Sequence, residues 1–190
     1  IRGADLLVIV PAYNEERRLP ETIKKITNFL NQQDMIYEII VVDNASTDST
    51  HDLVKNLMKL YKNVKLICET KKGKGYAVHT GMLFAKGKYR FMCDADLSMP
   101  IEEILKFIPP LNNTPISIGS RESKGSRRIN EPFIRHFLGR GFNYIIRLLL
   151  LPNYDDTQCG FKCFRDTIIE DLLRFQTIGG WSFDVELLYI

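Results

Sequence analysis

The chain has 190 residues, 45% of them apolar and 26% charged, with a net charge of +3, which is enough for one globular domain with a sizeable core. A sequence pI near 8.6 falls short of the dense basic stripe of a nucleic-acid binder, so no nucleic-acid partner is expected, whereas a phosphorylated substrate or an anionic membrane surface is compatible. Apolar runs such as Leu148 to Leu151 are far too short to span a bilayer, and four cysteines (Cys68, Cys93, Cys159, Cys163) among strand-like residues suit reduced thiols in a cytosolic compartment better than a disulfide framework.

In chain order, Leu6 to Val10 is an apolar run that stops at Pro11, followed by Ala12-Tyr13-Asn14-Glu15-Glu16 and a helical pattern from Leu19 to Leu30. That predicts strand, loop, helix. Glu38 to Val42 predicts a second strand, closed by Asp43-Asn44-Ala45-Ser46-Thr47-Asp48, and its helix carries Leu53, Leu57 and Leu60 at i, i+4, i+7. Asn63 to Cys68 predicts a third strand, and Lys72-Gly73-Lys74-Gly75 opens a helix running to about Ala85. Tyr89 to Cys93 predicts a fourth, buried strand that delivers Asp94 and Asp96 at its carboxyl end. On an extended backbone residues i and i+2 point to the same side, so these two carboxylates are expected to converge. Such a pair suits a hard divalent cation, Mg²⁺ or Mn²⁺, held jointly with substrate phosphates, although Asp-x-Asp alone is equally the composition of a solvated turn.

Beyond the fourth strand, Ile116 to Ile118 predicts a short strand, followed by Ser120-Arg121 and a basic loop over Glu122–Asn130 with Arg127 and Arg128. Phe133 to Leu151 has the composition of an interfacial amphipathic helix carrying Arg135, Arg140 and Arg147, or of a helix packed on the sheet or another subunit. Cys159-x-x-x-Cys163 has no second Cys or His pair at zinc spacing. The run Asp184 to Ile190, entered from Gly179-Gly180-Trp181, reads as a helix without a stop signal, so the natural protein is expected to extend past Ile190.

Four strands alternating with helices of ten or more residues predict an α/β fold, a mostly parallel sheet with helices on both faces. Ligands then bind at the carboxyl ends of the strands, and Pro11 to Glu15, Asp43, Lys74, Asp94 and Asp96 share that edge. The Gly-Lys-Gly of residues 73–75 is not a Walker A loop, and no G-x-G-x-x-G follows the first strand, which disfavours ATPase and dinucleotide readings. Each residue also has an ordinary role open to it: Glu15 at a helix N-terminus, Asp43 in a turn, Lys74 as a solvated loop lysine.

The segments VIVPAYNEERRLPETI (8–23), EIIVVDNASTDST (38–50), GKGYAVHTGMLFAKGKY (73–89), DADLSMP (94–100), GSR (119–121), DTQCGFKCF (156–164) and WSFDVELLYI (181–190) together resemble inverting family-2 glycosyltransferases of the GT-A fold and, among them, the dolichyl-phosphate β-glucosyltransferases. The resemblance spans essentially the whole chain. It implies a single Rossmann-like catalytic domain over residues 1–190, with a nucleotide-sugar half over about 1–100 and an acceptor half over about 101–190. It implies that Pro11, Tyr13, Glu15 and Asp43 hold the nucleoside, that Lys74 lies near base or diphosphate, and that Asp94 and Asp96 bind the metal, with Asp94 also near ribose. Ser98 stands where mannosyl relatives often carry Gln, and is a weaker ligand. Arg121 and Arg135 are implied to grip a lipid phosphate, with Arg140, Lys162, Asp184 and Glu186 further acceptor-side candidates; Gly139 replaces a serine of the mannosyl relatives. The catalytic set is thus Asp96, Arg121 and Arg135.

The implied reaction is metal-dependent transfer of a hexose, glucose from UDP-glucose, onto a polyprenyl or dolichyl phosphate, with inversion. A phosphate monoester has a second pKa near ~6 and is already a nucleophilic dianion near neutral pH, so it needs no general base. A hydroxyl acceptor would need one, which Asp184 or Glu186 offers. Another sugar nucleotide (GDP-mannose, UDP-GlcNAc), a hydroxyl acceptor, or a non-catalytic sugar-nucleotide-binding module are the alternatives. The implied location is a membrane surface, with the catalytic domain on the cytosolic side: endoplasmic reticulum in a eukaryote, plasma membrane in a prokaryote.

Overall fold

A computed structural model describes residues 4–120, 146, 148, 150–152, 154 and 156–190. At its centre, strand β1 (Leu6–Ala12) turns Leu6, Val8 and Val10 to one face and Leu7 and Ile9 to the other, and all five are buried. In β2 (Tyr37–Asp43), Ile39 and Val41 join the first face and Ile40 and Val42 the second. Strands covered on both faces read as continuous apolar runs, which is why these two stand out in the sequence. β1 pairs in parallel with β2 and with β4 (Tyr89–Met92), and β2 pairs in parallel with β3 (Val64–Cys68).

Each face has its own helices. Helix α1 (Leu19–Leu30) buries Leu19, Ile23, Ile26 and Leu30 against the first face, beside α2 (Thr50–Leu60) and a 3₁₀ helix (Ile101–Phe107). On the second face lie α3 (Lys74–Phe84), α4 (Asp166–Phe175) and α5 (Phe183–Tyr189), contributing Val78 and Met82, Ile169 and Leu173, and Phe183 and Leu187. Phe91 is the hinge of the first core, meeting Phe107 at 5.3 Å and Phe161 at 5.0 Å in edge-to-face contacts.

Two features depart from the sequence expectation. The strand order is β3-β2-β1-β4-β6-β5, where β5 is Ile116–Ile118 and β6 is Lys162–Arg165, and β6 runs antiparallel to both its neighbours. Sequence reading places no strand at β6, because four residues with a charge at each end carry no periodic signal. In α2 the predicted triplet is only partly the buried face: Leu57 is buried and Leu53 half-buried against the first core, but Leu60 is 75% exposed, and Thr50 and Val54 are buried instead. Thr50-Val54-Leu57 obeys the helical period as well as Leu53-Leu57-Leu60 does, and packing against the sheet sets how deeply each position is buried.

The basic loop Glu122–Asn130 lies outside the described residues, as does most of Phe133–Leu151. From the latter, Ile146 and Leu151 pack with Val185 and Leu188 in a small third core. None of the four cysteines, all among the described residues, forms a disulfide, and burial pushes the Cys163 thiol up to about 12. Among the described residues no helix is long and apolar enough to cross a membrane.

Candidate active site

The register sets the site's floor: Ala12 at the end of β1 stands opposite Asp43 at the end of β2, and Asp43 opposite Cys68 at the end of β3. The loops that leave these strands are stitched together by asparagine side chains. Asn14 Oδ1 accepts the Thr47 N–H at 2.8 Å and the Asn14 N–H donates to Ser46 Oγ at 3.0 Å. Asn44 Oδ1 accepts the Gly73 N–H at 2.8 Å and its Nδ2 donates to the Lys71 carbonyl at 2.7 Å. Strain gathers on the same edge. Among the described residues the non-glycine positions with positive φ are Asn14 (55°), Ala45 (55°) and Leu97 (46°), one in each loop after β1, β2 and β4.

Helix α3 begins at a fixed point because Gly73, at φ 146°, lies where a Cβ would meet the Gly179 carbonyl at 2.2 Å. Its first residue, Lys74, points back into the site: Nζ lies 2.7 Å from Asp94 Oδ1 and 5.5 Å from the centre of the Trp181 ring, with only 16% of the side chain exposed. The solvated-lysine role is therefore not the one it has. The other Asp94 oxygen lies against Gly160, where a Cβ would stand 2.2 Å from Oδ2. Asp94 is thus clamped between a lysine from α3 and the backbone leading into β6.

Asp96 is exposed, and its Oδ1 accepts the Ser98 N–H at 3.0 Å. The expectation that pleating aligns Asp94 with Asp96 needs correction, since β4 ends at Met92 and the Leu97 N–H donates to the Asp94 carbonyl at 3.1 Å, closing a turn. The turn itself is pinned to α1 by buried Thr22, whose hydroxyl donates to the Ala95 carbonyl. One exposed and one clamped carboxylate, two residues apart in this turn, offer hard oxygen donors. That fits Mg²⁺ or Mn²⁺ shared with a diphosphate and not a closed cage.

Lys162 is fully buried on β6. Its Nζ donates to the Cys159 carbonyl at 2.6 Å and lies 2.9 Å from Asp184 Oδ1 on α5. Burial pushes the Asp184 carboxyl up from its ordinary range, against the pull of Lys162 and Lys74, and Asp94 adds to the rise. Glu186 anchors a loop: its carboxylate accepts the Thr177 and Ile178 N–H groups at 2.8 to 3.0 Å. Burial raises the Glu186 carboxyl, but the Thr177 and Ile178 hydrogen bonds outweigh it and hold it below its usual range.

At the β1 and β2 ends of this edge, Pro11 lies on β1 and Tyr13 is 49% exposed, with Lys72 Nζ 5.8 Å from its ring centre. Glu15 pairs with Arg18 at 3.1 Å. Asp43, 6% exposed, takes the turn role open to it by accepting the Ser46 N–H on Oδ1 at 3.1 Å, while Oδ2 lies 3.2 Å from His51 Nδ1. A cleft of about 220 Å³, lined by Glu69, Tyr76, His79 and Gln176 among others, holds none of the predicted site residues. Arg121, Arg135 and Arg140 lie outside the described residues. Asn44, Gly160 and Trp181 also build the site without having been singled out from the sequence, where they stand inside VVDNAS, QCGFK and GGWSF.

A profile of Glycosyl transferase family 2 matches residues 7–173. The dolichyl-phosphate β-glucosyltransferase of Drosophila melanogaster is 37% identical over 202 residues, covering 98% of this chain and 62% of its own length. That of Dictyostelium discoideum is 36% identical over 201 residues, covering 97% and 61%. Among solved structures, glucosyl-3-phosphoglycerate synthase of Mycobacterium tuberculosis, in complex with Mn²⁺, UDP-glucose and phosphoglyceric acid, superposes with a TM-score of 0.64 at 19% identity, covering 98% of this chain and 64% of that one, which shows a shared fold. The chain belongs to glycosyltransferase family 2 and has its GT-A architecture. It spans about three fifths of the length of the curated relatives it matches.

Proposed function

We propose that this domain transfers glucose from UDP-glucose, with inversion, to a polyprenyl phosphate of the dolichyl type, at a membrane surface on the cytosolic side. The donor half is the edge built by Pro11, Tyr13, Glu15, Asp43, Lys74, Asp94 and Asp96. A Mg²⁺ or Mn²⁺ ion held by Asp94 and Asp96 would stabilise the charge that grows on the leaving diphosphate. Lys74 holds Asp94 in place and adds a positive charge at the same rim, and exposed Tyr13 offers a face to the base. Arg121 and Arg135, with Arg140 beside them in sequence, are proposed to hold the acceptor phosphate by bidentate pairing.

One observation favours a phosphate acceptor over a hydroxyl. Asp184 is buried beside Lys162, out of an acceptor's reach, and Glu186 is occupied by the 177–178 backbone, so neither carboxylate is placed to take a proton from an acceptor hydroxyl. A phosphate dianion needs none.

The test supplies the protein and Mn²⁺ with UDP-glucose or GDP-mannose, and with a polyprenyl phosphate or the matching polyprenol. Glucose transfer to the phosphate alone is expected, abolished by EDTA and in Asp96→Asn with the melting temperature retained. Arg135→Ala, losing a charged hydrogen bond of roughly 1.5–3 kcal/mol, is expected to weaken phosphate use by one to two orders of magnitude with donor binding unchanged. Transfer to the polyprenol, preference for GDP-mannose, or normal turnover by Asp96→Asn overturns the corresponding part.

A further inference from the structure

Asp43 at the end of β2, His51 in the first turn of α2 and Cys68 at the end of β3 bring three ligand atoms within 4.8 Å of one another. Asp43 Oδ2 lies 3.2 Å from His51 Nδ1, and Cys68 Sγ lies 3.5 Å from that same nitrogen. A Cys–His–Asp relay uses the two ring nitrogens separately, with the thiol at one and the carboxylate at the other. Here both groups converge on Nδ1, which is the arrangement of ligands around a common centre. In a tetrahedral site with metal–ligand bonds of about 2.0–2.3 Å, oxygen and nitrogen stand about 3.3 Å apart and nitrogen and sulfur about 3.6 Å, close to both spacings. The Ser46 N–H occupies Asp43 Oδ1 and so fixes the carboxylate, leaving Oδ2 for an ion. Cys68 is exposed and the His51 side chain 36% so, which gives an entry path and an open fourth position for water.

We propose that Asp43, His51 and Cys68 form a binding site for a borderline-soft divalent ion of the Zn²⁺ class, separate from the hard-oxygen edge of Asp94 and Asp96. Thiolate and imidazole select such an ion over Mg²⁺ or Mn²⁺. Because Asp43 is the carboxylate assigned to the nucleoside, occupation takes it away from the donor; that consequence rests on the proposed function, while the site does not.

Titrating the protein with Co²⁺, then displacing it with Zn²⁺, reads the site directly. The expected result is a thiolate-to-cobalt charge-transfer band that is absent in Cys68→Ser, and Zn²⁺ affinity more than about tenfold weaker in Cys68→Ser and His51→Ala, since disturbing even outer-shell partners costs 10–100-fold. Asp96→Asn is expected to bind Zn²⁺ as the parent does. The other three cysteines are buried. No band in the parent protein, or a band that survives in Cys68→Ser, overturns the site. Uridine binding, measured with and without Zn²⁺, separates the two claims: loss in the parent but not in Cys68→Ser supports the competition, and undiminished uridine binding with Zn²⁺ bound overturns the nucleoside role of Asp43 alone.

Discussion

At the scale of single residues, Asp94 has its position from two neighbours distant in sequence, the Lys74 ammonium at 2.7 Å and the bare Cα of Gly160. Neither contact follows from Asp-Ala-Asp itself, which reads equally as a surface turn. The glycine is the sharper test, because a methyl group there would stand 2.2 Å from the carboxylate oxygen and must displace it. Misplacing a catalytic group by an ångström costs on the order of a hundredfold in rate. Gly160→Ala is accordingly expected to lower kcat by about that factor. The melting temperature should change little, since the displaced atom faces the rim and not the core. Steady-state kinetics beside a thermal melt check this, and an unchanged kcat would remove Gly160 from the clamp.

At the scale of elements, α2 shows how far periodicity goes. A helix over these residues is legible from its spacing, but Leu53-Leu57-Leu60 and Thr50-Val54-Leu57 are both valid stripes, and the core takes Thr50, Val54 and Leu57 fully, Leu53 in part and Leu60 hardly at all. Leu57→Ala is expected to cost about 2–5 kcal/mol, the range for emptying a buried leucine site. Leu60→Ala, at a position 75% exposed, should stay within about 0.5 kcal/mol. Urea unfolding of the two variants decides it, and comparable losses would mean that the stripe was misassigned. Strand β6 illustrates the opposite limit: its partners β4 and β5 lie far away in sequence, so no local pattern announces it.

For the whole molecule, the Lys162–Asp184 pair joins the antiparallel flank of the sheet to α5, and both side chains are almost completely buried. Breaking one half of a buried pair leaves an uncompensated charge and costs about 3–5 kcal/mol, whereas replacing both with apolar residues of similar volume is often neutral. Lys162→Met is therefore expected to destabilise the protein by about that amount, and Lys162→Met with Asp184→Leu to regain most of it. A double-mutant cycle in urea measures the coupling. Additive losses would show that the two charges are not a unit.

The sequence by itself determined the α/β class, the first four strands and helices α1 and α3 within a residue or two, the presence of α2, and the edge on which the polar residues collect. Those depend on local periodicity and on the rule that parallel strands present their carboxyl ends together. Only the tertiary structure decided that Lys74 is a clamp and not a solvated side chain, that Lys162 and Asp184 are sealed together, and that Asp43, His51 and Cys68 meet at one nitrogen. Each of these depends on which distant backbone closes over a side chain, and charge in a sequence carries no information about the burial that sets its partner.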